Sequence, residues 1–338
     1  MSDGKALVIR LGALGDVLHT TPTVRALAAA GYAVDYLTGP GAAPLVEGQP
    51  DIRRVLRYDH RRADRGVAGF LRLARRIRAE RYDVVADLQG NTRSWLIALA
   101  AGAPKRVRYR KDRPGTPRHA VQNFAATLAP LGLAAEPGAP RFVPPPPARA
   151  AAEAALADAG GVPAGRALVA LHIGASQPLK TWAPARFGRL AALLAAEPGL
   201  SVALTSAPAD RAAVDEALAA ARDAGVGPGR LLDLGGRLDL AALGACYARA
   251  AAVVVADTGP LHLAAAAGAR AVGLFGPTDP VRTGPYGPGH RVVQTALDCV
   301  PCRAKRCRRF DRPRACLEEM SPETVCEAVL AVIGRERL

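Results

Sequence analysis

Aromatic side chains make up only 4% of the 338 residues, so any cores must be filled by Ala, Val and Leu. Long apolar stretches are missing as well. No run of about 18 uncharged apolar residues occurs, which excludes a membrane-spanning helix. The nearest approach, residues 241–256, is interrupted by Arg249. The amino-terminal residues contain no cleavage site of the secretory kind. Lys5 to Arg10 reads as a strand, and no signal peptide is expected. The expected compartment is then the cytoplasm, where thiols stay reduced. The dinucleotide fingerprint Gly-x-Gly-x-x-Gly is absent, which counts against an NAD-type oxidoreductase. Aromatic stacking platforms and recognised reader motifs are also absent, which counts against a nucleic-acid-binding protein.

What the chain does have is length for two domains and a composition that is 50% apolar, enough for two cores. Its net charge is +15, and the charge is concentrated. Residues 53–81 hold eleven basic side chains against three acidic ones, and residues 105–118 and 303–314 each hold seven against one. The rest of the chain is net −5. Patches of this kind suit an anionic partner such as a phosphorylated glycolipid, a membrane surface or nucleic acid; the plainer alternative is a solvated Arg-rich surface.

The two halves open alike. Residues 6–9 form a short β-branched apolar run, followed by a loop with Gly12 and Gly15 and a helical pattern over residues 17–30. Residues 167–173 repeat the scheme, with a loop at Gly174-Ala175-Ser176 and a helix over residues 184–196. Strand, glycine loop and helix is the opening unit of a parallel α/β sheet. Further buried strands are expected at 34–37, 84–88, 202–205, 253–256 and 271–275. Four prolines, Pro144 to Pro147, mark a linker around residues 143–150. The domains are therefore set at 1–147 and 148–338. The helix over 148–159 is open to either side. The last helix, 322–333, is capped by Ser321 and is free to pack back on the N-terminal half.

Three loops sit where ligands gather in such sheets, at the carboxyl ends of strands. In Leu11-Gly12-Ala13-Leu14-Gly15-Asp16, the carboxylate is either a helix N-cap or a general base. In the stretch from His172 to Trp182, exposed amides, the Ser176 hydroxyl and Lys180 suit a diphosphate; alternatively Lys180 is an ordinary surface lysine, and Trp182 a core anchor. In Asp257-Thr258-Gly259-Pro260-Leu261-His262, Thr258 or Gly259 caps a short helix whose free amides face an anion. Asp257 would be repelled by phosphate, so it holds the loop or accepts from sugar hydroxyls. His262, in the first turn, is structural or faces the ligand.

Taken in order, the segments Arg10 to Pro22, Asp87 to Gly90 with Arg93-Ser94, Gly174 to Trp182, Asp257 to Ala264 and Leu274 to Pro280 resemble the lipopolysaccharide heptosyltransferases of glycosyltransferase family 9. The similarity covers nearly the whole chain. It implies a GT-B fold, α/β, with two Rossmann-like doubly wound domains facing across a cleft. The acceptor goes to the N-terminal half and ADP-heptose to the C-terminal half. The family's base falls on Asp16 and its diphosphate lysine on Lys180, beside Ser176. Its donor loop falls on Asp257, Thr258, Gly259 and His262, and its position over adenine near Leu238. Acceptor contacts fall on Gly15, Gln89, Asn91 and Arg93. Its acidic ribose residue has only a displaced counterpart, Asp210. The implied reaction is an inverting displacement of ADP that needs no metal. The acceptor is an anionic lipid A core, reached at the cytoplasmic face of the inner membrane without crossing it, and no nucleic acid is involved. Another nucleotide sugar or acceptor glycan is the alternative within the family.

Outside this frame stand Cys299, Cys302, Cys307 and Cys316. Their opening C-x-x-C is a usual zinc half-site, though the later spacings are less typical. A structural zinc ion, an iron–sulfur cluster, and unliganded or oxidised thiols are the readings. Neighbouring basic residues would favour thiolates in any of them. Cys246 and Cys326 lie in apolar helical patterns and belong to the core.

Overall fold

The computed structural model describes residues 4–111, 118–133, 136–175, 177–227 and 229–334. The chain divides into two compact units, Met1–Val143 and Pro144–Leu338. The division falls a few residues before the expected boundary. The reason lies in the prolines, which cannot continue a helix but fit its first turn. Pro146 opens the helix Pro146–Asp158, which packs on the helix Leu240–Arg249 and so belongs to the second unit.

The first unit is built on five parallel strands, β1 (Lys5–Ile9), β2 (Ala33–Thr38), β3 (Arg54–Arg57), β4 (Val84–Asp87) and β5 (Lys105–Arg108), in the order β3-β2-β1-β4-β5. The second has six, β6 (Ala167–His172), β7 (Leu200–Ser206), β8 (Leu231–Gly235), β9 (Ala250–Ala256), β10 (Arg270–Phe275) and β11 (Arg291–Gln294), in the order β11-β10-β9-β6-β7-β8. Both are doubly wound, with the strand order reversing beside the first strand. The switch points lie between β1 and β4 and between β6 and β9. Central strands are covered on both faces and read as continuous apolar runs; Ala6, Leu7, Val8 and Ile9 are fully buried.

The strands that sequence patterning does not single out, β3, β5, β8 and β11, are the four sheet edges. Their segments, RVLR, KRVR, LLDLG and RVVQ, carry charge or polarity because one side is unpaired. Part of the basic excess is structural. Asp35, fully buried on β2, accepts from Arg53 Nε at 2.8 Å, Arg53 Nη2 at 2.7 Å, Arg54 Nη2 at 2.7 Å and the Tyr82 hydroxyl at 2.6 Å. Burial alone would raise its pKa, but these donors together hold its carboxyl below the usual range.

The helix expected over residues 17–30 is two helices, Leu14–His19 and Thr21–Ala29. Pro22 has no N–H to give the carbonyl of Leu18, and the Thr21 hydroxyl takes that carbonyl at 2.8 Å. The Thr20 hydroxyl does the same to Val17 at 2.7 Å. In the second unit, Trp182 and Phe187 pack edge-to-face at 4.9 Å, and Trp182 is buried as a core anchor. Ser321 caps the helix Pro322–Val332 by accepting from Thr324 N, and Val325, Cys326 and Val329 of that helix belong to the second unit's core.

Candidate active site

At the first switch point the loop after β1 is tied to the loop after β4. The Leu11 amide donates to Gln89 Oε1 at 3.0 Å, and the buried Arg10 guanidinium donates to Leu88 O at 2.7 Å. The other terminal nitrogen of Arg10 binds the Asp16 carboxylate at Oδ2, while the guanidinium lies 5.1 Å from the centre of the Phe124 ring. Asp16 is not an N-cap. It is the third residue of its helix, whose cap position is Ala13 with no side-chain bond. Its carboxylate is therefore held by one oxygen and partly open to solvent.

The loop after β4 is shaped by Asp87, fully buried, whose Oδ1 accepts from the amides of Gln89 and Gly90 at 3.1 and 3.0 Å. Burial nonetheless keeps its carboxyl above the usual range. Gly90 has φ +71, and a Cβ there would stand 2.7 Å from Tyr109 O, so only glycine fits without displacement. Asn91 caps the helix Thr92–Ala100 in a reciprocal capping box with Ser94, so its side-chain oxygen is engaged in that box.

Gln89, Asn91 and Arg93 line one cavity of about 820 Å³, together with Leu11 to Leu14 and with Tyr58, His60, Arg61 and Arg62. Gly15 does not line it; it is buried within its helix. Tyr58 to Arg62 lie in the turn after β3 and were visible in the sequence only as charge density. Burial, then the cations Arg93 and Arg61, push the His60 imidazole down from its usual value, so it is neutral at pH 7. A second cavity of about 660 Å³ is lined by Arg106, Arg108, Arg110 and Arg118, with Arg108 stacked 5.2 Å from the Trp95 ring centre.

The second unit uses its rim in the same way. Lys180, in the turn Pro178–Lys180, reaches across the β6/β9 switch point and donates to Asp257 Oδ2 at 2.7 Å and to Asp257 O at 3.2 Å. Both side chains are largely buried. Asp257 thus holds the lysine and does not face an anion on its own. Thr258 is the extended N-cap of the helix Gly259–Ala266 and makes no side-chain cap bond. In the first turn of that helix Pro260 has no amide and the Leu261 amide donates to Thr258 O at 3.1 Å, which leaves the Gly259 amide at the helix start. His262 is buried in that helix. Ser176 lies outside the described residues.

Next along the rim, Gly174 has φ +111, and a Cβ there would meet the Asp210 carboxylate at 2.5 Å. The displaced acid is therefore brought back over the glycine loop by the short turn Pro208–Asp210, and burial raises its pKa. Leu238, buried, follows β8 in the turn before the Asp239 cap. Beneath the loop, buried His172 shares Nδ1 with the Tyr247 hydroxyl at 2.9 Å and the Thr205 hydroxyl at 3.1 Å. Burial depresses its pKa to about 4, so it is a neutral part of the floor.

The rim loops thus gather a held carboxylate in one unit and a held ammonium beside a helix N-terminus in the other. The model of glycosyltransferase family 9 (heptosyltransferase) matches residues 70–310. The chain belongs to glycosyltransferase family 9. Lipopolysaccharide heptosyltransferase 1 of Pseudomonas aeruginosa is 30% identical to it, over 97% of this chain and 98% of that protein. Among solved structures, a family 9 glycosyltransferase of Veillonella parvula has a TM-score of 0.84 at 22% identity, covering 98% of each chain. The ADP-heptose LPS heptosyltransferase II of E. coli has a TM-score of 0.74 at 22% identity, covering 97% of this chain and 98% of that one. As a family 9 enzyme the chain is a glycosyltransferase with the two-domain α/β fold that these neighbours share. Among its described residues, no helix is long and apolar enough to cross a membrane.

Proposed function

We propose that the chain transfers heptose from ADP-heptose to an anionic lipopolysaccharide inner-core acceptor, with inversion at the anomeric carbon. The acceptor hydroxyl oxygen attacks that carbon, the bond to the diphosphate oxygen breaks, and ADP leaves with the electron pair. Asp16 takes the hydroxyl proton. Arg10 holds one of its oxygens, leaving the other for the proton. Lys180 and the Gly259 amide at the start of the helix Gly259–Ala266 stabilise the charge growing on the leaving diphosphate. With those groups in place the transfer needs no divalent metal, and turnover should not depend on added magnesium. Leu238 backs the base, and Asp210 accepts from ribose.

The observation that carries this reading is the Lys180–Asp257 pair spanning the second switch point, an ammonium fixed beside a helix N-terminus. The names of the relatives supply the sugar and the acceptor. Calorimetry with ADP, UDP and NAD is the test. ADP is expected to bind tightest, and a preference for UDP or NAD would remove the donor assignment.

The acceptor's negative groups are assigned to Arg61, Arg62 and Arg93 in the larger cavity, and the enzyme to the cytoplasmic face of the inner membrane. The helices Gly66–Ala79 and Thr92–Ala100 pack together, and they expose Val67, Leu71, Leu96 and Leu99 beside exposed Arg72, Arg75 and Arg76. Apolar side chains among arginines suit an anionic bilayer surface. Sedimentation with phosphatidylglycerol vesicles but not with phosphatidylcholine vesicles is expected. Equal sedimentation with neither would leave the patch without a lipid role.

A further inference from the structure

Residues 294–314 contain no buried residue, and no helix or strand lies between β11 and the short helix Ala315–Glu318. A stretch of that length buries too little apolar surface to offset its own ordering entropy. Segments in this position need a staple, either a metal or cross-links. The path is nevertheless defined at several points. Arg303 donates its amide to Pro277 O at 2.7 Å and its guanidinium to Asp279 Oδ2 at 2.7 Å. The Arg314 guanidinium donates to Thr181 O, next to Lys180. The Thr295 hydroxyl donates to Cys316 O at 3.0 Å.

Between these points Cys299, Cys302, Cys307 and Cys316 line a single cavity of about 280 Å³, together with Leu179 and Pro277. None of them is in a disulfide. As the side chains stand, no group of three or more His, Cys, Asp or Glu among the described residues is placed to hold a metal ion, so binding would have to draw the four thiols together. Two features fit the pocket to a metal. The Arg314 amide donates to Cys307 Sγ at 3.3 Å, the kind of backbone donor that stabilises a metal-bound thiolate. Arg308, Arg309 and Arg314 line the cavity as well. Four thiolates around a divalent ion carry net −2, and a cluster of arginines compensates that charge. The basic excess of residues 303–314, which the transfer reaction does not use, gains a reason.

We propose that Cys299, Cys302, Cys307 and Cys316 form a tetrathiolate zinc site that staples this segment to the rim of the second sheet. Donors that are all sulfur select a soft or borderline ion, and zinc takes four of them tetrahedrally at about 2.3 Å. Binding is not a redox step. The ion displaces four thiol protons to solvent, and closing the thiols around it draws the segment together. Because Arg314 holds Thr181 and Arg303 holds Asp279, the staple also sets the loops around Lys180. That last consequence rests on the ADP reading above; the metal content does not.

The test begins with the wild-type chain purified under reducing conditions. About one zinc ion per chain is expected, and replacement by cobalt should give thiolate-to-metal charge-transfer absorption. Cys302→Ser and Cys307→Ser should lose the ion, whereas Cys246→Ala, a thiol buried elsewhere, should keep it. Stripping the zinc should weaken ADP binding by about five- to tenfold, the worth of one ordered hydrogen bond. A reduced chain that carries no transition metal and gives no cobalt–thiolate spectrum overturns the site, and so do native disulfides among these cysteines. Zinc bound with ADP affinity unchanged on its removal supports the site and overturns its hold on the nucleotide loops.

Discussion

The loop after β1 and the loop after β6 begin from the same strand–glycine–helix opening and end with opposite charges. In the first unit the functional group is a carboxylate, Asp16, held by a buried cation, Arg10. In the second it is an ammonium, Lys180, held by a largely buried carboxylate, Asp257. In each case the partner orients the group. The difference follows the chemistry assigned to each side: a proton to be received in one unit, negative charge to be stabilised in the other. One scaffold serves both because the switch point supplies position, and a single ion pair supplies sign.

The sharpest way to break that comparison is to remove one sign at a time. Asp16→Asn keeps the size and a hydrogen bond but cannot take a proton. Turnover should fall by at least about 100-fold while ADP affinity, measured by calorimetry, stays near wild type. An Asn variant that keeps most of its turnover would leave Asp16 as a mere partner of Arg10. Lys180→Ala should do the reverse, weakening ADP by about 10- to 100-fold through loss of a charged hydrogen bond. If ADP affinity does not change, Lys180 does not hold the donor diphosphate and the two loops are not a donor and acceptor pair.

Much of this was legible in the sequence, and the exceptions are instructive. The central strands announce themselves because both faces are buried and the runs are apolar. The edge strands β3, β5, β8 and β11 do not, because solvent on one side permits Arg, Lys, Asp and Gln. The same edges hide a function of the basic runs: Arg53 and Arg54 serve Asp35, a partner eighteen and nineteen residues earlier that no local pattern reveals. Lys180 and Asp257 were each recognisable as candidates, but their pairing across seventy-seven residues was not. Asp210 looked displaced along the chain, and a three-residue turn brings it back over Gly174. Tyr58, His60, Arg61 and Arg62 lie in a turn, with neither motif nor periodicity to mark them as cavity lining.

The Asp35 cluster sharpens the comparison as a third ion-paired carboxylate with no ligand to serve. Its carboxyl is held below the usual value, so the folded state binds fewer protons there than the unfolded chain does. Its contribution to stability is present above about pH 4, the unfolded value, and is lost as pH falls through the lower folded value. Asp35→Asn should cost about 2 kcal/mol at neutral pH, modest because Arg53 and Arg54 are over a third exposed. It should also flatten the acid limb of a denaturation curve taken from pH 5 to pH 2. ADP affinity should not change. A loss of ADP binding in this variant, with the fold intact, would mean that structural and functional pairs are not separable in this chain.

The smallest effects are expected where charges are exposed and numerous. Arg61, Arg62 and Arg93 line the large cavity of the first unit, and each exposed pair with an anionic acceptor is worth on the order of 0–1 kcal/mol, screened by salt. Single Arg→Glu substitutions should therefore raise the acceptor KM only a few-fold. The triple variant should raise it strongly, because reversing three charges replaces attraction by repulsion. Raising salt from low to physiological levels should mimic the single substitutions and should leave the donor KM nearly unchanged, since Lys180 and Asp257 are largely shielded from solvent. As a control, Arg53→Glu and Arg54→Glu should lower stability without a selective change in acceptor KM, because their charges are already committed to Asp35 and Glu80. If the triple variant shows a flat salt response and an unchanged acceptor KM, the cavity arginines are a solvated surface, and the acceptor must be held elsewhere on the first unit.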